Sequence, residues 1–489
     1  MSPRMEPPDG ASGGLGATIA STVPGPGGSD IGPRSSPCRP PRVPASFDGP
    51  AARAPVGSSA MTPDRLAGAT VCLDVGSAWT KAVLVRSDGA IHGFAEHPTT
   101  TADVLAGVDA AVGAVTAAAR TGEEPTVLAS SSAGGGLRLV VIGTEGLAAT
   151  EAGHRVARSA GARVVHVHVG ALSAEDVRVV RGHRPGALLL MGGVDGDDPS
   201  VLLHNAGRLA RARVRYPIVL AGNAAARDDA HALLRATGRT VVVCDNVAPE
   251  VGTVVAEPAR RAVADVFAGH VIGARGPSAA PRFRRMVQLA TPDAVSRGAA
   301  ELARVTGGRV LLVDVGSATT AVHLAGPDGE ARCTVEGDLG MRSAAQGVLT
   351  EGQAEGLVDP VEADLLAPAV ERMAAEPGWV PDDAGGAAED RRIAALAAAV
   401  AVRRHLAAGP PDVGAADVVV LSGGVFRQRD HGGLRAVVAT LRADRALAPV
   451  LDGARIVVDN DIVLGPAGLL AADGRVDLAE ALLQDHVLG

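Results

Sequence analysis

The strongest constraint in this sequence is a pattern that occurs twice. LDVGSAWTKAVLV begins at Leu73, and VDVGSATTAVHL begins at Val313. Each copy reads as an apolar run, an aspartate, a Gly-Ser turn with trailing hydroxyls and a second apolar run, which is a strand, a tight turn and a returning strand. Each is followed by a strand running into Gly-Gly (LLLMGGVDG at Gly192, VVVLSGGVF at Gly423) and then by an apolar run ending in Asp-Asn (Asp245-Asn246, Asp459-Asn460). Three strand-ending motifs repeated in one order predict two homologous lobes. Their expected bounds are residues 66–275 and 308–489, with a connecting helical segment over 276–307.

Between these motifs, strand-like runs such as Leu137–Ile142, Val164–Val169 and Val310–Val313 alternate with alanine-rich helical stretches such as Thr101–Arg120, Pro199–Arg211 and Pro360–Ala375. That alternation is the pattern of an α/β protein. With 47 % apolar but only 2 % aromatic residues, its core must be built from Ala, Val and Leu. The acidic, Pro- and Gly-rich stretch Ala375–Asp390 reads as a surface loop. Residues 1–65 form a Pro/Gly/Ser-rich tail with too little apolar surface to offset its ordering entropy, so disorder is expected there. Met61 opens MTPDRLAGATVCLDVGS and is either the true translation start or part of a genuine flexible tail.

A net charge of −8, spread along the chain, argues against a nucleic-acid binder, which needs a basic domain or stripe. No apolar run reaches the length of a membrane span, and the N-terminus lacks the charged-then-apolar order of a signal peptide, so a cytoplasmic protein is expected. Cys38, Cys72, Cys244 and Cys333 are far apart, without the spacing of a zinc or iron–sulfur site. The last three lie in or beside apolar runs and read as small buried hydrophobes. His166 and His168 share one face of a strand and read as packed or surface histidines.

The duplicated hairpins carry the chemistry. Gly76 and Gly316 permit a tight turn that a Cβ would obstruct. Such a turn aims backbone N–H groups, with the hydroxyls of Ser77, Thr80, Ser317, Thr319 and Thr320, at phosphate oxygens. Asp74 and Asp314 end the first strand of each hairpin, where a carboxylate holds Mg²⁺ beside phosphates, usually through water. Lys81 is the chain's only lysine and adds positive charge at the same place. Gly423 and Gly424 offer side-chain-free backbone against which an adenine and ribose can pack. GPAGLL at Gly465–Leu470 reads as the start of a helix with small residues for close packing at an interlobe hinge.

The two hairpins, LSGGV and GPAGLL resemble the phosphate, adenosine and connect motifs of the superfamily that includes actin, sugar and acetate kinases, and heat-shock chaperones. ASSSAGGGLRLVVIG (Ala129–Gly143), LLLMGGVDGDD (Leu188–Asp198), PIVLAGN (Pro217–Asn223) and TVEGDLGMR (Thr334–Arg342) resemble more specifically the glutamate mutase L family. That resemblance implies a duplicated two-lobed actin-like (ribonuclease H-like) α/β fold with ATP and Mg²⁺ in a cleft between lobes. It also implies an ATP-binding chaperone or reactivating factor whose partners are the subunits of an adenosylcobalamin-dependent mutase, with no nucleic acid or membrane partner. Asp74, Asp314 and Glu336 are the expected catalytic acids, Asp74 and Asp314 also the metal ligands. Glu336 and Asp338 follow the second hairpin, where they would position water or the Mg²⁺ shell.

Three stretches keep two readings. Ser130–Ser132 with Gly134, Gly135 and Gly136 is either a phosphate or partner contact or a connector. Asp195, Asp197 and Asp198 are either a solvated turn or a metal or partner site. The second hairpin departs from the DxGGxTTD pattern of many relatives, with Ser317 for a glycine and Ala321 for the final acid. Hydrolysis is therefore expected to be slow, or the chain to bind nucleotide as a scaffold without turning it over. A small-molecule kinase is a further alternative, though no sugar-stacking aromatics support it. Base-off cobalamin binding needs DxHxxG, and the only D-x-H, Asp229-Ala-His231, has Leu234 at the glycine position.

Overall fold

The computed structural model describes residues 68–489 apart from 100–102, 118–124, 133–136, 145–150, 155, 158–159, 161, 237, 273–280, 411–412 and 428–430. The expected tail over 1–65, with Cys38 and Met61, and Gly134, Gly135 and Gly136 lie outside the described residues.

Strands β1 (Thr70–Val75), β2 (Trp79–Val85), β3 (Ile91–Pro98), β4 (Thr126–Ser131) and β10 (Val287–Ala290) make one five-stranded sheet, ordered β3-β2-β1-β4-β10. Strands β11 (Val310–Val315), β12 (Thr320–Ala325), β13 (Ala331–Glu336), β14 (Val418–Ser422) and β15 (Arg455–Val458) make a second, ordered β13-β12-β11-β14-β15. In both, the first strand runs antiparallel to the second and parallel to the fourth, and the fifth is parallel to the fourth. The duplication is thus a shared 3-2-1-4-5 topology.

The strand correspondence is not the one the sequence suggests. Strands β5 (Leu137–Gly143), β6 (Ala162–Val169), β7 (Ala187–Leu190), β8 (Ile218–Leu220) and β9 (Val241–Val243) form a third, wholly parallel sheet ordered β6-β5-β7-β8-β9. LLLMGG is β7 and VVVCDN contains β9, so neither matches the second lobe's motifs. The counterparts of β14 and β15 are β4 (TVLASS) and β10 (VQLA), with the third sheet inserted between them. A parallel strand covered on both faces is apolar throughout whatever its domain, which is why LLLMGG imitates LSGGV. The stretch 276–307 is likewise more than a helical connector, since it supplies β10 before the helix Thr291–Thr306.

Each sheet buries both faces. The helix Val104–Ala117 covers the outer face of the first sheet, burying Val108, Ala111 and Val115 against Val71 and Leu73. The helices Ala345–Ala354, Pro360–Ala375 and Ala384–Ala407 cover that of the second. The last of these begins inside the expected loop Ala375–Asp390, because Asp383 caps it by accepting from the Gly386 N–H at 2.8 Å. The inserted sheet meets the second lobe's edge strand, where Ala160 bridges Val335. Among the described residues no helix is long and apolar enough to cross a membrane.

Between the first two sheets run the helices Thr291–Thr306 and Leu464–Ala472, sharing one core with Cys72, Val83, Leu312 and Val420. They cross in backbone contact. A Cβ on Gly298 would lie 2.0 Å from the Leu464 carbonyl oxygen, and one on Gly468 would lie 1.8 Å from that of Ala294. The small residues expected of an interlobe hinge are therefore present, with Gly468 at the crossing itself.

Candidate functional site

The carboxyl ends of β1 and β11 bring the two hairpins together. In each, the glycine N–H donates to the carbonyl three residues on, Gly76 to Trp79 at 3.0 Å and Gly316 to Thr319 at 2.9 Å. A Cβ at Gly76 or Gly316 would sit 2.7 or 2.9 Å from the same carbonyl oxygens, so the turn requires glycine. The turns face one another, and the Ser77 and Ser317 hydroxyls hydrogen-bond at 2.6 Å.

Neighbouring segments brace both turns. Ser130 and Ser131, both fully buried, donate to the Leu73 and Val75 carbonyls of β1 at 3.4 and 3.3 Å. These two serines thus pack against the first hairpin. EGDLGMR does the same for the second. Met341 and Arg342 donate backbone N–H groups to the Gly316 and Ser317 carbonyls at 2.9 and 2.7 Å, and Gly340 lies against Ala318. Arg342 is itself fixed by buried Asp390 at 2.9 Å.

The expected site residues divide into two groups. Asp74, Lys81, Ser77, Gly76, Asp314, Gly316, Ser317 and Thr319 gather at the hairpins and keep partial exposure. Lys81 Nζ lies 3.4 Å from Asp74 Oδ2, and Thr291 donates to Asp74 Oδ1 at 2.8 Å. Thr80 and Thr320, by contrast, are fully buried, and their hydroxyls bond Thr99 Oγ1 (2.9 Å) and the Leu339 carbonyl (2.5 Å). They hold the hairpins rather than point at a ligand. Gly423 has φ +127°, and a Cβ there would lie 2.3 Å from the Val315 carbonyl oxygen, so it lets β14 close onto the second hairpin. Gly424 is exposed beside it.

Glu336 stands apart from the aspartates. It ends β13, opposite Thr320 of β12, which in turn lies opposite Val315 of β11. Its buried carboxylate meets Arg404 at 2.9 Å, alongside Asp338 at 3.2 Å and Glu351 at 2.5 Å. Asp195, Asp197 and Asp198 belong to the inserted sheet. There Asp195 accepts from the Ala224 N–H (2.7 Å) and Asn246 (2.8 Å), and Asp198 accepts from the Ser200 N–H (3.0 Å). The Asp195 and Asp198 carboxylates shape a turn, and Asp197 joins it through its backbone, its N–H donating to the Val194 carbonyl at 3.2 Å. His166 stacks on His183 with centroids 4.7 Å apart, a packed pair as expected. Burial pushes the Cys72 and Cys333 thiols up to about 12 and Cys244 to about 11, which disfavours the thiolate in all three.

Four more residues join the cleft, of which Asp459 and Ser422 lie in motifs already noted and Glu96 and Arg427 do not. Asp459, after β15, accepts from the Val463 N–H at 2.8 Å and from Ser422 at 3.4 Å. Arg427 pairs with Glu96 across the lobes at 2.5 Å. The signal for Ser422 was its register, directly opposite Asp314 as Ser130 is opposite Asp74. Burial raises the Asp314 carboxyl to about 6, with Lys81 opposing the rise and Asp74 and Asp459 adding to it. Burial likewise raises Asp459. Among the described residues no group of three or more His, Cys, Asp or Glu side chains is arranged to hold a metal ion unaided. Two carboxylates between two glycine turns suit instead a cation that brings phosphate and water ligands with it.

Two 3-2-1-4-5 sheets, each opening with a glycine hairpin at a shared cleft and joined by two crossing helices, define the two-lobed actin-like ATPase fold. The sequence profile described as MutL protein matches residues 70–487, and the chain belongs to that family, the glutamate mutase L family its motifs resemble. Protein MutL of Clostridium tetanomorphum is 35 % identical over 301 residues, which cover 57 % of this chain and 65 %, just under two thirds, of that protein. Among solved structures, nucleotide-free acetone carboxylase aligns over 82 % of this chain and 70 % of its own at 15 % identity and a TM-score of 0.36. A ROK family glucokinase from Streptomyces griseus aligns over 84 % of this chain and 99 % of its own at 12 % identity and 0.32. The fold assignment rests on the strand order and not on these two likenesses.

Proposed function

We propose that the chain binds ATP with Mg²⁺ between its two hairpins and serves, in the cytoplasm, as a chaperone or reactivating factor for an adenosylcobalamin-dependent mutase, by family glutamate mutase. The observation that carries the nucleotide reading is the meeting of the hairpins. Both turns bring their serine hydroxyls to one place, with Asp74, Asp314 and Lys81 near them. In this reading the turn amides and the Ser77, Ser317 and Thr319 hydroxyls hold phosphate oxygens. Asp74 and Asp314 hold the metal through water, and Lys81 offsets phosphate charge. Bound Mg²⁺ supplies charge neutralisation at the phosphates. The adenosine lies along Gly423–Gly424, and the crossing helices let the lobes open and close.

A second reading, a nucleotide-binding scaffold without turnover, is favoured by one pair of observations. Glu336 is tied to Arg404, and Ala321 stands opposite Asp314 where many relatives carry an acid. The test is ATP binding and hydrolysis by wild type, Asp74→Ala and Asp314→Ala, with and without mutase subunits. Mg²⁺-dependent binding lost in both variants, with turnover raised by the mutase, supports the chaperone. Binding with no turnover under any condition supports the scaffold. No binding by the wild type contradicts both.

A further inference from the structure

The lobes touch at the cleft through a contact that the phosphate machinery does not need. Arg427 ends the short turn Gly424–Arg427 that follows β14 in the second lobe. Its guanidinium lies 2.5 Å from Glu96 Oε1 on β3 of the first lobe and 5.6 Å from the centre of the Phe94 ring. Both side chains are mostly buried, Glu96 at 23 % exposed and Arg427 at 18 %, so solvent screens the pair less than a surface ion pair. Glu96 sits directly opposite Lys81 in the β2–β3 register. Charges therefore alternate from Asp74 through Lys81 and Glu96 to Arg427, from one lobe into the other.

We propose that Glu96 and Arg427 form a latch that holds the lobes closed. The same closure presses Ser77 against Ser317 at 2.6 Å, a separation that leaves no room for a phosphate group between the two oxygens. An entering polyphosphate must part these hydroxyls, which pulls on the latch from inside the cleft. Arg427 is thus a positioning residue that sets how readily the cleft admits its ligand. What opens the latch rests on the nucleotide reading, whereas the latch itself does not.

Cross-linking of the hairpins tests it. Replacing Ser77 and Ser317 together by cysteine places two thiols where the hydroxyls meet, close enough for a disulfide when the lobes are closed. The rate of bond formation under mild oxidant, in the full-length protein, then reads the closed population. Adding Glu96→Gln is expected to slow cross-linking by up to about fivefold, the limit reached when the closed state is the minor one. Arg427→Gln provides an independent break, and the double variant Glu96→Gln with Arg427→Gln is expected to slow the reaction no further than either single variant, because both remove the same contact. Circular dichroism checks that each variant is folded. Equal rates in wild-type, Glu96→Gln and Arg427→Gln backgrounds overturn the latch. Mg·ATP is expected to slow cross-linking in the wild-type background. If it has no effect while Glu96→Gln still slows the reaction, the latch stands and its opening by nucleotide falls, and Mg·ATP binding to the protein with both serines intact decides the nucleotide reading separately.

Discussion

The two hairpins share a strand register and differ in the residue that faces each aspartate. Asp74 lies opposite Lys81 across the β1–β2 pair, whereas Asp314 lies opposite Ala321 across β11–β12. The first carboxylate has an ammonium 3.4 Å away, while the second is raised to about 6 by burial and by its acidic neighbours. A duplicated fold has thus kept its geometry and divided its charges. The first lobe supplies a neutralised pair and the second a carboxylate short of positive charge, as a site for a cation with phosphates would need.

The largest test of this comparison is steric. Ser131, the last residue of β4, and Gly423, the residue after β14, occupy matching places, yet only Gly423 has a positive φ and a carbonyl 2.3 Å from where a Cβ would stand. Gly423→Ser is expected to cost about 3–5 kcal/mol in thermal or urea unfolding. Ser131→Gly, in the matching place, is expected to cost about 1–2 kcal/mol. Equal costs would break the comparison.

Next comes the charge difference. Asp314 is raised from an ordinary 3.8 to about 6 in the folded chain, so the folded state binds the extra proton between those values and loses stability as pH rises through them. Asp314→Asn removes that penalty. It is expected to stabilise the metal-free protein by about 1–3 kcal/mol above pH 6.5 and by nothing measurable below pH 4. Asp74→Asn leaves Lys81 without its partner and is expected to destabilise by up to about 1 kcal/mol. Denaturant titrations of both variants across pH decide this, and a pH-independent effect of Asp314→Asn would count against the division of charge.

The smallest expected effect sharpens the same contrast. Lys81→Ala makes the first hairpin resemble the second and removes the cation that opposes the rise at Asp314. The Asp314 midpoint, followed by carboxyl ¹³C resonances, is expected to move above about 6 by a few tenths of a pH unit. A downward movement would show that Lys81 does not act on Asp314.

The sequence made the hairpins legible because an aspartate, a turn glycine and hydroxyls at fixed spacing have few other uses. It hid the rest of the duplication for two physical reasons. Strand β10 is only four residues long and lies beyond an entire inserted domain, so no local period announces it. The inserted sheet is parallel and covered on both faces, so its strands carry the same apolar runs and glycine ends as the lobes themselves. Thr80 and Thr320 fit the phosphate pattern by type, but strand alternation turns them into the core. Glu336 was legible as an acid following the second hairpin, whereas its partner Arg404 comes from a helix far along the chain. Glu96 and Arg427 meet only because the lobes close, and no linear spacing encodes that.

The central claim is that a nucleotide occupies the space between the hairpins, and the chain's single lysine offers a direct view of it. Isotopic labelling of lysine gives one side-chain resonance, that of Lys81, with nothing to assign. Titration with Mg·ATP is expected to shift that resonance saturably, with the shift lost in Asp314→Ala. A resonance that stays still up to millimolar Mg·ATP, in a protein that remains folded, would contradict the account.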